Sequence, residues 1–298
     1  MLPDDAEAAD QLAQLAVEPV DQATTLASRP DPTRHPELWW LLDRGYHVLL
    51  ATMGQPPAGG WPALPAATGP VGRHLYAWLC LAVLPHVRRF HTARGVPDDI
   101  SWATLTDLGQ ELISSRLLTG TSGLDASWNL PRVLRGTYYK LGRLTFERGL
   151  PAPDPSNHPV LRPGQTGIGT HIPSGAGPLH PEACDDSFAQ ARAFFPHHLP
   201  EQPATFGCHS WLMDDQLAEY LAEDSNIIQF QRRFDRFTDR EPADWAPLEH
   251  LFHRRYEGKH PPTDLLNELP QETTLQRAIV THLLAGGHWY NRTGWLRF

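Results

Sequence analysis

The sequence predicts an α/β (α+β) protein in which a helical N-terminal domain precedes a mixed β-sheet domain with flanking helices. Its 298 residues are about twice the length of a typical single domain. Apolar residues recur at helical spacing in the first half, whereas strand and helix patterns alternate in the second half. Five prolines between Pro151 and Gly164 disfavour both a helix and a central strand there. We therefore expect domains at residues 1–150 and 151–298.

Helical patterns dominate the first half. Leu75, Leu79 and Val83 share one helical face, and Ser101 is a suitable N-cap for the helix that follows. Polar and apolar residues then alternate over Arg143–Glu147, which predicts a strand that closes this half. The expected helices are 6–17, 37–51, 72–94, 102–118 and 124–140.

The second half begins with a strand at Gly167–Pro173, a loop at Ser174–Leu179 and a helix from Pro181, a residue suited to the first helical position. Side chains over Asn226–Arg236 alternate as in a strand, and the polar face carries Arg233, whose guanidinium could bind a carboxylate or phosphate. The remaining expected elements are strands at 204–213 and 287–298 and helices at 215–221 and 273–285.

Composition narrows the classes of function. The formal net charge of -9 argues against a general nucleic-acid or anionic-membrane binder. Cys80, Cys184 and Cys208 form neither a disulfide framework nor a CxxC zinc site. The acidic N-terminus is unlike a signal peptide, and the apolar run Leu75–Leu84 is too short to span a bilayer. We expect a cytoplasmic protein that acts without a nucleic-acid or membrane partner.

Three motifs carry a resemblance to a known family. They are Thr170–Cys184 (THIPSGAGPLHPEAC), Cys208–Asp214 (CHSWLMD) and Asp224–Ile227 (DSNI), followed by Phe230 and Arg233. The chain resembles bacterial acyltransferase-domain proteins that join a helical N-terminal domain to a GNAT-like N-acyltransferase domain. The resemblance implies direct transfer of an acyl group from an acyl-CoA or acyl carrier protein thioester to a small-molecule amine. The resemblance therefore implies acyl-CoA or acyl carrier protein as the acyl donor, and an acyl carrier protein as a possible protein partner.

The loop Ser174-Gly175-Ala176-Gly177 occupies the place where GNAT enzymes bind the CoA pyrophosphate. Glycine lets a phosphate approach the backbone, and the following helix N-terminus favours an anion. The usual Arg/Gln-x-x-Gly-x-Gly/Ala signature is absent, and Gln165–Gly169 matches it poorly. The alternative interpretation is a tight turn that binds no ligand.

His171 and His209 fall in the first two strands of the second half and could reach one cleft. Aminolysis of a thioester requires a neutral amine, and imidazole suits the general base near pH 7. The alternative is a pair of structural histidines. The resemblance also implies that Tyr220 protonates the departing thiolate, although a tyrosine packed on the sheet fits the same position. Asp214 fits a helix cap better than a catalyst.

Cys208 supports a different route. It cannot pair with His209 on one regular strand because alternate side chains point to opposite faces, but it could pair with His171 from the neighbouring strand to form an acyl-enzyme. A buried core cysteine is the simpler interpretation. Two further functions stay open, a Cys/His transferase or hydrolase and a non-catalytic GNAT-like module that binds a ligand or partner. The histidine pairs His197–His198 and His250–His253 define no ligand set, so we expect no metal.

Overall fold

The computed structural model describes residues 1–56, 61–64, 68–124, 127, 130–150, 160, 167–198, 203–238 and 240–298. It divides into two compact units, Met1–Lys140 and Leu141–Phe298. The proline-rich segment expected as a linker lies outside the described residues, apart from Val160, as do Gln165 and Thr166. The strand expected to close the first half falls within the second unit.

Helices build the N-terminal unit, and α5 lies at its core. Trp78 on α5 is fully buried, and its indole N–H donates to the Thr25 carbonyl at 3.1 Å, which satisfies the one polar group of this large side chain. The elements are α1 (Asp5–Gln14), α2 (Pro19–Ala27), α3 (Pro36–Ala51), α4 (Gly69–Arg73), α5 (Leu75–Ala93), α6 (Asp98–Leu105), α7 (Asp107–Thr119) and α8 (Leu130–Leu134), and β1 (Tyr138–Leu141) follows at the boundary between the units.

Two of the expected N-terminal helices were wrong in extent. The helix expected at 102–118 is divided between α6 and α7 at Thr106, whose hydroxyl donates to the Ala103 carbonyl at 2.8 Å and so competes with the helical backbone pattern. The helix expected at 124–140 is only the short α8. Gly136 ends it with a φ of 67°, and the aromatic pair Tyr138–Tyr139 favours the strand that follows.

The C-terminal unit has the mixed sheet that the sequence predicts. Its strand order is β2-β3-β4-β7-β5, with β6 also paired to β7. β3 and β4 are parallel, whereas the other described pairs are antiparallel. The elements are β2 (Leu144–Leu150), β3 (Gly167–His171), α9 (Pro181–His198), β4 (Thr205–Ser210), α10 (Asn226–Gln231), β5 (Asp235–Arg236), β6 (Glu241–Pro242), α11 (Trp245–Phe252), α12 (Thr263–Glu268), α13 (Thr274–Leu284) and β7 (Tyr290–Arg297).

The strand expected at 226–236 was wrong. Residues Asn226–Gln231 form the helix α10, and only Asp235–Arg236 form a strand. Ser225 caps the helix by accepting from the Ile228 amide at 3.4 Å. The Gln231 side chain turns inward and donates to the carbonyls of Leu212 and Asp214, so this polar residue of the alternating pattern is buried in the interior.

Two apolar clusters support the sheet. Aromatic side chains fill the space between α9 and the sheet, where Phe188 meets Phe146 and Phe206 at ring distances of 5.6 and 5.0 Å. A second cluster, built around fully buried Trp289, joins α11, α12 and α13. α13 matches the expected helix at 273–285 and opens with a capping box between Thr273 and Gln276. Among the described residues, no helix combines the length and hydrophobicity needed to cross a membrane.

Two buried aspartates fix the start of β7. Asp244 accepts from the Trp289 amide at 2.7 Å through Oδ1, and Asp214 accepts from the Tyr290 amide at 2.9 Å through Oδ2. Asp214 also caps the short 3-10 helix Asp215–Glu219 by accepting from the Gln216 amide at 3.1 Å. Burial raises the pKa of Asp214. This aspartate therefore has the capping role that its sequence context favours.

Candidate active site

The two parallel strands of the C-terminal unit, β3 and β4, stop pairing before either of them ends. β3 and β4 share two paired positions, of which the second is Gly169 opposite Gly207. β3 then continues to His171 and β4 to Ser210, and the register records no further pair between them. Parallel strands that stop pairing before they end leave a crevice at their carboxyl ends, and this is where α/β sheets bind ligands.

His171 and His209 lie at this crevice. The strands that carry them are neighbours, as predicted, and each histidine is two residues beyond the last paired position. Because side chains alternate along a strand, both imidazoles share a sheet face with Gly169 and Gly207. Cys208 lies on the opposite face and is 1% exposed.

His171 is held by a buried carboxylate. Its Nε2 lies 3.0 Å from Oε2 of Glu147, whose side chain is fully buried, while the His171 side chain is 28% exposed. Thr145 lies opposite His171 in the β2–β3 register, and Glu147 lies opposite Gly169. Glu147 and His171 are therefore diagonal neighbours on one face, and the absence of a side chain at Gly169 leaves room for their contact.

His209 has weaker partners. It lies directly opposite Thr293 in the β4–β7 register, and its Nδ1 is 2.9 Å from the threonine hydroxyl. Its Nε2 lies 3.4 Å from Oε2 of Glu241, a carboxylate that is 69% exposed. A contact with so exposed a carboxylate is screened by water and orients a ring less firmly than the buried Glu147 does.

The floor of the crevice is bare at Gly207. A Cβ built there would meet no described atom closer than the Gly294 carbonyl oxygen at 4.0 Å. At Gly294, on the neighbouring strand, a Cβ would instead lie 2.8 Å from both Met213 Cε and Phe234 Cβ. Packing therefore requires a glycine at Gly294 but not at Gly207, where there is room for a side-chain carbon.

The loop that follows β3 turns toward a helix start, as the resemblance implies. Ser174, Gly175 and Ala176 form one 3-10 turn, and Gly177 adopts a φ of 81°, a conformation that favours glycine. α9 then begins at Pro181. The first amides of a helix lack intrahelical partners and attract anions.

Two arginines flank this loop. Arg143 donates through Nε to the Pro178 carbonyl at 3.1 Å, and Arg233 donates through Nη2 to the Pro181 carbonyl at 2.9 Å while pairing with Asp185 at 2.8 Å. Burial lowers the pKa of Arg143, and its Nη1 has no hydrogen-bond partner within the described chain. Positive charge thus lies beside the loop. Arg233 lies two residues after the end of α10 and is not part of a strand.

The described contacts of Tyr220 are with residues other than His171 and His209. The expected helix at 215–221 is the 3-10 helix Asp215–Glu219, and Tyr220 is the residue that ends it. The Tyr220 hydroxyl lies 3.0 Å from Nδ1 of His282, and its ring packs against Trp289. Its role as the acid for the thiolate stays a prediction.

Cys208 lies among core side chains. Burial raises the pKa of its thiol to about 12, whereas a reactive cysteine needs an accessible thiolate. The three cysteines are all free and buried.

The sequence reasoning missed Glu147, Thr293 and Arg143. Glu147 is charged and follows the buried apolar residue Phe146 in a predicted strand, and this is the one local signal that could have marked it. Thr293 and Arg143 carry no such signal, because their importance depends on strand register and on the path of the loop.

Two family models match adjacent parts of the chain. The N-acyltransferase N-terminal domain matches residues 6–136, and the GNAT-like C-terminal domain matches residues 138–296. The chain belongs to the GNAT-like N-acyltransferases. The predicted fold class is thereby confirmed, and so is the prediction of an acyltransferase.

Solved structures of acyltransferases resemble this GNAT-like acyltransferase along its whole length. One is an acyltransferase mutant in complex with octanoyl-CoA, which is 40% identical, covers 100% of this chain and 90% of its own, and has a TM-score of 0.88. Another is an acyltransferase in complex with decanoyl-CoA and teicoplanin, at 41% identity with 100% and 89% coverage and a TM-score of 0.88. A third, at 40% identity with the same coverage and TM-score, contains CoA and 10C-teicoplanin. No curated protein matches significantly.

Proposed function

We propose that this GNAT-like acyltransferase moves a medium-length acyl group from acyl-CoA to an amine of a glycopeptide, with His171 as the general base. The observation that carries the proposal is the contact between His171 and buried Glu147 at the point where β3 and β4 stop pairing. The related structures hold octanoyl-CoA or decanoyl-CoA, and one of them also holds teicoplanin. These ligands define the donor length and the acceptor class that we propose.

The Glu147 contact assigns the proton positions on His171. A carboxylate only accepts, so Nε2 of His171 carries the hydrogen and Nδ1 keeps its lone pair. Nδ1 takes a proton from the acceptor amine as the amine nitrogen attacks the thioester carbonyl. The C–N bond forms, the C–S bond breaks and CoA leaves as the thiolate. The proton on Nδ1 of the His171 imidazolium then passes to the thiolate sulfur, directly or through water, which gives the free thiol of CoA and restores the neutral imidazole. Glu147 stabilises the imidazolium that forms for the duration of this step.

We assign the role of base to His171 and not to His209 because the carboxylate beside His171 is the more deeply buried of the two. Glu147 is fully buried, whereas Glu241 beside His209 is 69% exposed. A carboxylate shielded from water keeps the imidazole in one orientation and acts on it through a lower dielectric. We assign His209, which Thr293 holds on the same face, to contact with the acceptor or the acyl group.

The donor site follows from the loop and its arginines. The amides of the Ser174–Gly177 turn and the start of α9, together with Nη1 of Arg143, supply hydrogen-bond donors for a pyrophosphate, and Arg233, which is held by Asp185 and by the Pro181 and Gln229 carbonyls, adds positive charge nearby. The arginines supply positive charge where the usual Arg/Gln-x-x-Gly-x-Gly/Ala signature is missing. Because this charge is placed for a pyrophosphate, the loop favours acyl-CoA over a donor that has no pyrophosphate. The room beside Gly207 lies on the same sheet face as His171 and His209, and we place the acyl chain there.

Burial of Cys208 favours direct attack over an acyl-enzyme, because its thiol faces away from His171 and its pKa is raised to about 12. The three free cysteines accord with a reducing compartment, and we propose the cytoplasm as the setting.

The test measures acyl transfer from decanoyl-CoA to teicoplanin by mass spectrometry and CoA release by thiol titration. We expect His171→Ala to lower kcat by about 10²–10⁴-fold with little change in the KM for decanoyl-CoA. His209→Ala serves as the matched control on the same sheet face and lowers kcat less. A His171→Ala variant with the wild-type kcat contradicts the assignment of the base.

The donor is tested in the same assay with decanoyl carrier protein in place of decanoyl-CoA. We expect decanoyl-CoA to give the higher kcat/KM, because a carrier protein presents no pyrophosphate to the Ser174–Gly177 loop. A higher kcat/KM with the carrier protein overturns acyl-CoA as the donor.

A further inference from the structure

Three side chains that commonly bind metals meet outside the candidate active site. One ligand atom from each of Asp244, His260 and His288 lies within 4.8 Å of the other two. The three residues come from different segments, since Asp244 precedes α11, His260 lies between α11 and α12, and His288 lies between α13 and β7. They line an open cavity of about 250 Å³ together with the Gly286–Gly287 turn.

Two of these residues are already fixed. Asp244 is buried, and its Oδ2 lies 2.7 Å from Nδ1 of His288. The His288 carbonyl lies 2.9 Å from Gln216 Nε2 and 3.2 Å from His282 Nε2. Since a carbonyl only accepts, both nitrogens donate to it and hold the His288 backbone. Such support around a ligand orients it before a metal arrives.

The third residue lies on an accessible loop. His260 is exposed, and its ring centroid is 4.8 Å from that of His288. The loop is anchored by Tyr256, which packs against the cluster around Trp289. Burial, and then the negative charge of Asp244, raise the pKa of Tyr256, so the field of Asp244 extends to this loop.

We propose that Asp244, His260 and His288 bind a divalent transition-metal ion of the zinc class. Two imidazoles and one carboxylate are the nitrogen and oxygen ligands that such ions prefer. Because only one ligand is charged, the site keeps a net positive charge, and a water molecule from the open cavity can fill the fourth position. The ion displaces the present contact between Asp244 Oδ2 and His288 Nδ1.

Ion binding requires only a small rearrangement. Ligand atoms of a tetrahedral zinc ion are about 3.3 Å apart, so the contact between Asp244 and His288 widens slightly. His260 moves inward, which its exposed loop allows. The bound ion then joins three segments of the C-terminal unit that are far apart in sequence. The sequence predicted no metal because these residues form no short-range ligand motif, and contact between them depends on the fold.

The experiment titrates the chelator-treated full chain with Zn²⁺ by isothermal calorimetry and with Co²⁺ by visible absorption. We expect one ion per chain and the intense d–d bands of a four-coordinate Co²⁺ site. His260→Ala, on the exposed loop, weakens Zn²⁺ binding by about 10-fold or more and removes the Co²⁺ bands. Asp244→Asn keeps an oxygen for the Trp289 amide and removes the charge, and it also weakens binding.

His253→Asn is the matched control. It removes an imidazole from the same loop, and asparagine tolerates the φ of 52° at this position, so Zn²⁺ binding stays at the wild-type level. Retention of tight binding in His260→Ala overturns the proposal. So does a loss of binding when His197 and His198 are replaced instead, since the ion would then occupy the end of α9. Absence of any stoichiometric binding to the wild-type chain overturns it as well.

Discussion

Gly207→Val separates ligand binding from folding in this acyltransferase. The side chain of valine projects from β4 into the open crevice face, where the nearest atom to the position of its Cβ, apart from its chain neighbours, is the Gly294 carbonyl oxygen at 4.0 Å. A branched residue also suits a strand. We therefore expect the free energy of unfolding to change by less than about 1 kcal/mol.

The effect on acyl-CoA is larger. Methyl groups inserted where a ligand packs cost about 1–3 kcal/mol, which corresponds to about a 5- to 140-fold rise in the Kd or KM for decanoyl-CoA. Gly294→Ala has the opposite signature, because its Cβ would lie 2.8 Å from Met213 Cε and Phe234 Cβ. We expect it to destabilise folding by about 1–3 kcal/mol while the remaining folded protein binds decanoyl-CoA normally.

Urea unfolding and steady-state CoA release measure the two quantities for both variants. If Gly207→Val binds decanoyl-CoA as tightly as the wild type, the open face is not the donor site. If it unfolds while Gly294→Ala stays stable, the packing argument itself is wrong.

Three further predictions concern the charged groups. Glu147→Gln, which keeps the contact but removes the charge, lowers kcat about 10-fold or more with an unchanged KM, and an unaltered kcat would exclude Glu147 as the group that positions His171. Arg143→Gln raises the KM for decanoyl-CoA but not for decanoyl-pantetheine, which has no phosphate. Equal effects on both donors would contradict the phosphate role. Burial lowers the pKa of His91 to about 4, so the folded protein binds fewer protons than the unfolded chain between about pH 6.5 and 4, and stability falls as the pH falls through this range, by up to about 3 kcal/mol. Urea titrations of His91→Gln should show a free energy of unfolding that depends less on pH over this range. A pH dependence equal to that of the wild type would refute His91 as its source.

The sequence predicted the elements that glycine, proline and capping residues delimit. The strand before Ser174, the helix from Pro181 and the helix after Thr273 all depend on such local signals, and each is present in the structure. Local signals failed at α10, where the alternation of apolar and polar residues predicted a strand. Gln231 is polar yet buried, and only its tertiary hydrogen bonds explain its position.

The candidate site could be predicted only in part. The parallel arrangement of β3 and β4 followed from the family layout, and it brought His171 and His209 to one face. Glu147 could not be assigned, because its contact with His171 depends on the register between β2 and β3 across a long connection. A register displaced by one residue would place Glu147 on the other face of the sheet.

The same dependence on register gives Asp214 and Asp244 an importance beyond their own contacts. They accept from consecutive backbone amides where β7 begins, and this fixes which residue of β7 each position on β4 faces. A slip of β7 by one residue would turn Thr293 away from His209 and would bring a side chain into the place that Gly294 leaves empty. Two carboxylates that take no part in the acyl-transfer chemistry thus fix the alignment of the strand, and contacts at the start of β7 decide the composition of the crevice wall.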